Sequence, residues 1–174
     1  MAPGAGSHEG RFHPTGSARD PVTWHTLARY GIACRGPQPA ELDIRADPHR
    51  LAAWTDKNLD AYWRGWLRRG SRLWTPRGVF AGSPYAAVWA VTGVSRLHYT
   101  LATGDITSKV GAALHALHAF PPRWHPVLTE SLRLRRGEPG PSLYRTPLAR
   151  RRDVPAFTDL VIDAGHRLYA ARAH

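Results

Sequence analysis

Apolar residues recur at helical spacing only after Asp20. Before it, Gly4, Gly6, Gly10 and Gly16 alternate irregularly with Pro3, Pro14 and polar residues, so residues 1–19 are expected to form a disordered tail. Asp20-Pro21 then offers a helix N-cap followed by proline at the first helical position, and Trp24, Leu27 and Ala28 make a short stripe ending at Gly31. Ile32-Ala33-Cys34 is expected to run extended into Gly36-Pro37. Asp47-Pro48 repeats the start signal and opens a longer helix with Leu51, Thr55, Leu59, Tyr62 and Trp66 on one face, widened by Trp54 and Trp63. The stretch from Gly70 to Gly82, with Pro76 and Gly78, reads as a loop.

From Ser83-Pro84 to Gly104 the chain is apolar nearly all round, which is the pattern of a central buried helix. Gly104 is placed as a left-handed C-cap, Thr107 or Ser108 as the cap of a helix over 109–118, and Phe120-Pro121-Pro122 as its end. A further helix is expected over 123–136, stopped by Gly137 and Pro139. After a loop rich in Pro and Arg, Val154-Pro155 is expected to start the last helix, with Phe157, Leu160, Val161, Ala164 and Leu168 along one side. Helices without an alternating strand pattern predict an all-α bundle of about five to six helices behind the tail.

At 174 residues the chain has room for one ordinary domain and a tail. It has no run long and apolar enough for a membrane span and no apolar core of a signal peptide, so a cytoplasmic protein is expected. Cys34 is the single cysteine, which excludes an internal disulfide and a thiolate zinc site. The formal charge of +11 suggests a polyanionic partner. All but Lys57 and Lys109 of the 24 basic residues are arginine, however, a skew that compositional bias toward Arg, Ala, Gly and Pro also produces. Nucleic-acid binding is therefore not the leading expectation.

Arg96 is the only charged residue on the central apolar helix and needs either an acidic partner, with Glu130 and Asp159 as candidates, or a ligand. Lys109 stands in the first turn of its helix, where a cation opposes the helix dipole. With the hydroxyls of Thr107 and Ser108 and the free N–H groups of a helix start, it could cradle phosphate, or it could be a solvated surface lysine. His115, His118 and His125 give only a weak metal signal, since no cysteine or carboxylate stands at ligand spacing, and no metal site is expected. The arginines at 133, 135, 136 and 150–152 could clamp polyphosphate, although such runs are usually solvated faces. Trp54, Trp63, Trp66, Trp89 and Trp124 read as core or pocket wall, and Trp89 and Tyr99 are the candidates for a substrate pocket. Nowhere is there an Asp-x-Asp pair, a Gly-Ser followed by paired aspartates, a Walker loop or a nucleophile elbow, so no catalytic residue is assigned.

The segment Val94-Ser-Arg-Leu-His-Tyr-Thr-Leu-Ala-Thr-Gly-Asp-Ile-Thr-Ser-Lys109, followed by Phe120-Pro-Pro-Arg-Trp-His-Pro-Val-Leu, resembles the C-terminal helical domain of streptomycin- and spectinomycin-type aminoglycoside adenylyltransferases. Asp20 to Pro37 resembles the segment that closes the family's catalytic domain, which divides the chain into a tail at 1–19, a remnant at 20–37 and a helical domain at 38–174. The resemblance implies that Arg96 and Lys109 contact nucleotide phosphates. ATP and Mg²⁺ are implied only beside a complete nucleotidyltransferase catalytic domain, either upstream of a late start or on a separate chain, with an aminoglycoside-like acceptor. Two positions depart from the family: Arg135 stands where a tyrosine near the nucleotide is expected, and Ala86 where an antibiotic-contacting aspartate is expected. The alternatives are a separate substrate-binding subunit, with Trp24, Leu27 and Ile32 as an exposed docking patch, and an arginine-rich nucleic-acid-binding helical module.

Overall fold

The computed structural model describes residues 4–8, 11–16, 20–70 and 83–172, so the loop expected beyond Gly70 lies outside the described residues. The chain divides into two compact units, Met1–Trp54 and Thr55–His174.

In the first unit, β1 (Gly4–His8) pairs antiparallel with β2 (Arg11–Gly16), Gly6 facing His13 and His8 facing Arg11. Two strands thus occupy part of the segment expected to be a structureless tail. Antiparallel pairing uses backbone groups that any sequence supplies, and no apolar alternation announces it: Phe12 is exposed. Helix α1 (Pro21–Tyr30) begins where expected, the Asp20 carboxylate accepting from the Thr23 N–H at 2.7 Å, and Gly31 ends it. A single 3-10 turn (Pro39–Glu41) follows. Asp47 caps α2 (Pro48–Asn58) by accepting from the N–H groups of His49 and Arg50 at 2.9 and 3.1 Å, and the unit boundary falls inside this helix.

The second unit continues through a π-helical segment (Leu59–Arg64) into α3 (Gly65–Gly70). The remaining elements are α4 (Pro84–Thr103), α5 (Lys109–Ala119), a 3-10 turn (Pro122–Trp124), α6 (His125–Arg136) and α7 (Pro147–Arg172). With the unbroken run from α2 to α3 taken as one, the described residues hold six helices, and those of the second unit form an all-α bundle. Helix α4 is its centre and packs against α5, α6, α7 and the π segment. Its Ala86, Ala87, Ala90, Val91, Val94 and Leu101 are buried, as are Ala112, Ala113 and Ala116 of α5. Small side chains at these contacts let the helix axes approach closely. Val127, Leu128 and Leu132 of α6 and Val154, Phe157, Val161 and Ile162 of α7 complete the core.

Two features correct the sequence pattern. The π segment has about one extra residue per turn, which advances the buried face after Leu59 from Tyr62 to Trp63. Tyr62 is accordingly exposed and Trp63 buried. The last helix starts at Pro147, a turn and more before Val154, and Pro155 lies inside it. Thr146-Pro147 supplies the same cap-and-proline signal: the Thr146 hydroxyl accepts from the Ala149 N–H at 3.2 Å. Val154, Phe157 and Val161 are buried without residual exposure, and that packing offsets the hydrogen bond an interior proline removes.

Gly93 is where α4 receives the π segment. A Cβ there would stand 2.6 Å from the Trp63 indole. Gly93→Ala is expected to destabilise the protein by about 1–3 kcal/mol through overpacking, even though alanine gains about 1 kcal/mol in helix propensity. Urea unfolding midpoints check this, and a midpoint that rises would show that the indole yields freely.

Candidate functional site

Three helix ends meet at one cleft. Ser83 caps α4 by accepting from the Ala86 N–H at 3.0 Å, and Ser108, of the two candidates, caps α5 by accepting from the Gly111 N–H at 3.0 Å. Between these positive helix starts and the end of α6 lies a cleft of about 370 Å³. It is lined by Pro84, Tyr85, Val88 and Trp89 of α4, Lys109 of α5, and Leu134 and Arg135 of α6. No carboxylate is among these lining residues. Helix α6 is fixed against α4 one turn earlier, where the Ser131 hydroxyl donates to the Ala87 carbonyl at 3.3 Å.

Arg96 lies on the same stripe of α4 as Trp89, two turns further on, and is half-buried. Gly104, left-handed at φ 78°, ends α4, and the chain turns back so that the Arg96 Nε donates to the Thr107 carbonyl at 3.1 Å. The two acidic partners considered for Arg96 are engaged elsewhere: Glu130 by Arg133 and Arg150, Asp159 by Arg64 at 3.5 Å. Among the described residues Arg96 therefore makes no ion pair, and its one protein bond leaves the rest of the guanidinium for another acceptor. Lys109 is half-buried, and its pKa is lowered by desolvation, then by the charge of Arg135, then by that of Arg96. The charges of Arg135 and Arg96 thus both act on Lys109.

Of the candidate pocket residues, Trp89 lines the cleft and Tyr99 does not. Tyr99 is ten residues further along α4, roughly 15 Å in rise, and packs edge-on against His115 at 5.2 Å between centroids. Trp89 also belongs to an aromatic cluster with Tyr62, Trp63 and Trp66, its centroid 4.7 Å from that of Trp63 and 5.5 Å from that of Trp66. That cluster backs Trp89 in the cleft wall. Trp63 and Trp124 are core residues, and Trp66 and Trp89 are half-buried.

Helix α6 is anchored by Glu130, which the sequence offered only as a partner for Arg96. Glu130 is fully buried and accepts from Arg133 Nε at 3.0 Å, the Ser142 hydroxyl at 2.6 Å and the Leu143 N–H at 3.2 Å, with Arg150 at 3.7 Å. Desolvation pushes its pKa up, but the bonds from Arg133, Ser142 and Leu143 outweigh that and bring it down to about 2.

The three histidines weighed as ligands do not converge: His118 is exposed, and among the described residues no group of three or more His, Cys, Asp or Glu is disposed to hold a metal. His115 instead meets the buried His98, at 5.9 Å between centroids. Burial, and then the neighbouring His115, lower the His98 pKa to about 4, and its Nδ1 has no partner. The folded pKa is below the unfolded one, so the unfolded chain takes up the proton first and stability declines as pH falls from about 6.5 to 4. Between pH 7 and pH 5 this group is expected to cost about 2 kcal/mol, and His98→Phe should remove that part of the decline in denaturant titrations at the two pH values.

Four further arginines face acids of the same chain. Arg45 pairs with Asp43, Arg64 with Asp60, Asp159 and Asp163, Arg136 with Glu138, and Arg152 with Asp153. No helix among the described residues is long and apolar enough to cross a membrane. A larger hollow of about 610 Å³, lined by Gly70 and residues at the start of α7, adjoins residues outside the described set.

Residues 80–162 match the family model of the aminoglycoside adenylyltransferase C-terminal domain. The match runs from the start of α4 into α7 and contains every residue of the cleft together with Arg96. The resemblance read from the sequence is borne out over this stretch. No curated protein matches the chain.

Proposed function

We propose that the helical unit is the substrate- and nucleotide-gripping domain of an aminoglycoside adenylyltransferase-like protein, holding the phosphates of ATP while a nucleotidyltransferase domain supplies the chemistry. The observation that carries this reading is that Lys109 and Arg135 line one cleft without a neutralising carboxylate in its lining, with the charge of Arg96 also acting on Lys109. Cations gathered around Lys109 are relieved by a bound polyanion, and Trp89 offers an aromatic wall beside them.

The cleft residues fit phosphate and do not fit a metal, since none of them is an oxygen-donor acid. Mg²⁺ would be held by the aspartates of the catalytic domain, where it polarises the reacting phosphate. In adenylyl transfer an acceptor hydroxyl loses its proton to a base of that domain and bonds to the α-phosphorus, while pyrophosphate leaves with the electron pair of the broken P–O bond. Lys109 and Arg96 would neutralise charge on the transferring and departing groups and orient them, which makes the unit inactive without its partner. Of the docking patch considered at Trp24, Leu27 and Ile32, Ile32 is exposed while Trp24 and Leu27 are half-buried; exposed Ile32 and Leu42 in the first unit support the existence of such a partner surface.

Calorimetric titration of the chain at low salt tests the proposal. ATP is expected to bind and adenosine to bind at least tenfold more weakly. Equal affinity for the two would overturn it.

A further inference from the structure

Arg135 differs from its neighbours in the last turn of α6. Arg133 is held by Glu130, and Arg136 by Glu138 at 3.3 Å, whereas Arg135 makes no ion pair among the described residues. It is exposed and lines the cleft with Lys109. The helix puts it there: Arg135 is one turn beyond Ser131, whose hydroxyl reaches the Ala87 carbonyl, so the α6 face that packs on α4 delivers Arg135 to the start of α4. A cation at a helix C-terminus is also favoured by the helix dipole, which lets α6 carry this charge without an acid to balance it.

Resting on the phosphate reading of the cleft, we propose that Arg135 is a third phosphate-gripping residue that sets the cleft's preference for a polyphosphate chain over a single phosphate. Arg135 projects from α6, and Lys109 from the start of α5, so the two approach an occupant from different helices. A chain of phosphates can satisfy both, whereas one phosphate group satisfies one side only. A guanidinium can also make two parallel bonds to phosphate oxygens, which a tyrosine at this position could not. The charges of Lys109 and Arg135 also disfavour a polycationic molecule in this part of the cleft, whose lining holds no acid.

Calorimetric titrations of the full chain with ATP, AMP and inorganic tripolyphosphate test the assignment, using R135Q, K109Q and, as a control on the paired neighbour, R136Q. Circular dichroism melting confirms that each variant folds. The expected result is that R135Q weakens ATP and tripolyphosphate by roughly tenfold and leaves AMP within about twofold, while R136Q changes none of them. The salt dependence of ATP binding should also flatten in R135Q by about one released counterion. If K109Q weakens ATP while R135Q binds it as the wild type does, the role of Arg135 is overturned and the phosphate reading stands. If the wild-type chain binds neither ATP nor tripolyphosphate, both fall together.

Discussion

Glu130→Ala is expected to destabilise the protein by about 3–5 kcal/mol, the range for breaking a buried ion pair by removing one partner. Arg150 and the Ser142 and Leu143 donors would lose their shared buried acceptor, and the connection between α6 and α7 would lose the group that gathers it. Denaturant unfolding followed by circular dichroism reads the change. The same residue gives a distinct acid dependence. Its folded pKa of about 2 is below the ordinary carboxylate value of 4.5, so its contribution is complete above pH 4.5 and is lost as pH falls toward 2. The full contribution is about 3 kcal/mol. This window lies below that of His98, so Glu130→Ala should flatten the stability curve at the acid end and leave the decline between pH 6.5 and 4 in place. A loss smaller than about 1 kcal/mol would show that water reaches the stranded donors.

Lys109→Ala, in a chain joined to an active nucleotidyltransferase domain, is expected to cost about 2–4 kcal/mol of transition-state stabilisation. That corresponds to a fall of roughly 30- to 1,000-fold in kcat/KM. The folding stability should change little, because Lys109 is only half-buried and makes no ion pair among the described residues. Arg96→Ala should lower kcat/KM to a similar degree and also loosen the start of α5, since it removes the bond to the Thr107 carbonyl. Steady-state kinetics beside thermal melts separate the two effects. Unchanged kcat/KM in both variants would remove Arg96 and Lys109 from the phosphate-binding role.

What the sequence revealed here was mostly local. Asp20, Asp47, Ser83, Ser108 and Gly104 announce helix ends because a cap acts on backbone groups within a few residues, and each one acts as expected. The apolar character of α4 likewise announced its central place. The π segment escaped notice because its cause is the fit of Trp63 against Gly93, a contact between distant parts of the chain. The start of α7 was misplaced because two proline signals compete, and Thr146, whose hydroxyl caps Ala149, makes Thr146-Pro147 the start. Glu130 carried no local signature, since its partners Ser142 and Arg150 lie far along the chain. For the cleft, Lys109 was visible as a cation at the wrong end of a helix, and Trp89 as an aromatic residue on an apolar one. The presence of Arg135 beside Lys109 requires α6 to cross α4 at Ala87, which no spacing in the sequence encodes.

The crowding of cations around Lys109 makes the cleft a proton-linked device. Arg135 and Arg96, together with partial burial, hold the free Lys109 ammonium below the usual lysine pKa, and a bound anion replaces that repulsion with attraction. On the phosphate reading of the cleft, anion and proton would bind cooperatively: ligation at alkaline pH would draw a proton from solution, and raising the pH would weaken ligation by the same coupling. Calorimetry in buffers of different ionisation enthalpy would register that proton directly, as a heat that scales with the buffer rather than with the ligand.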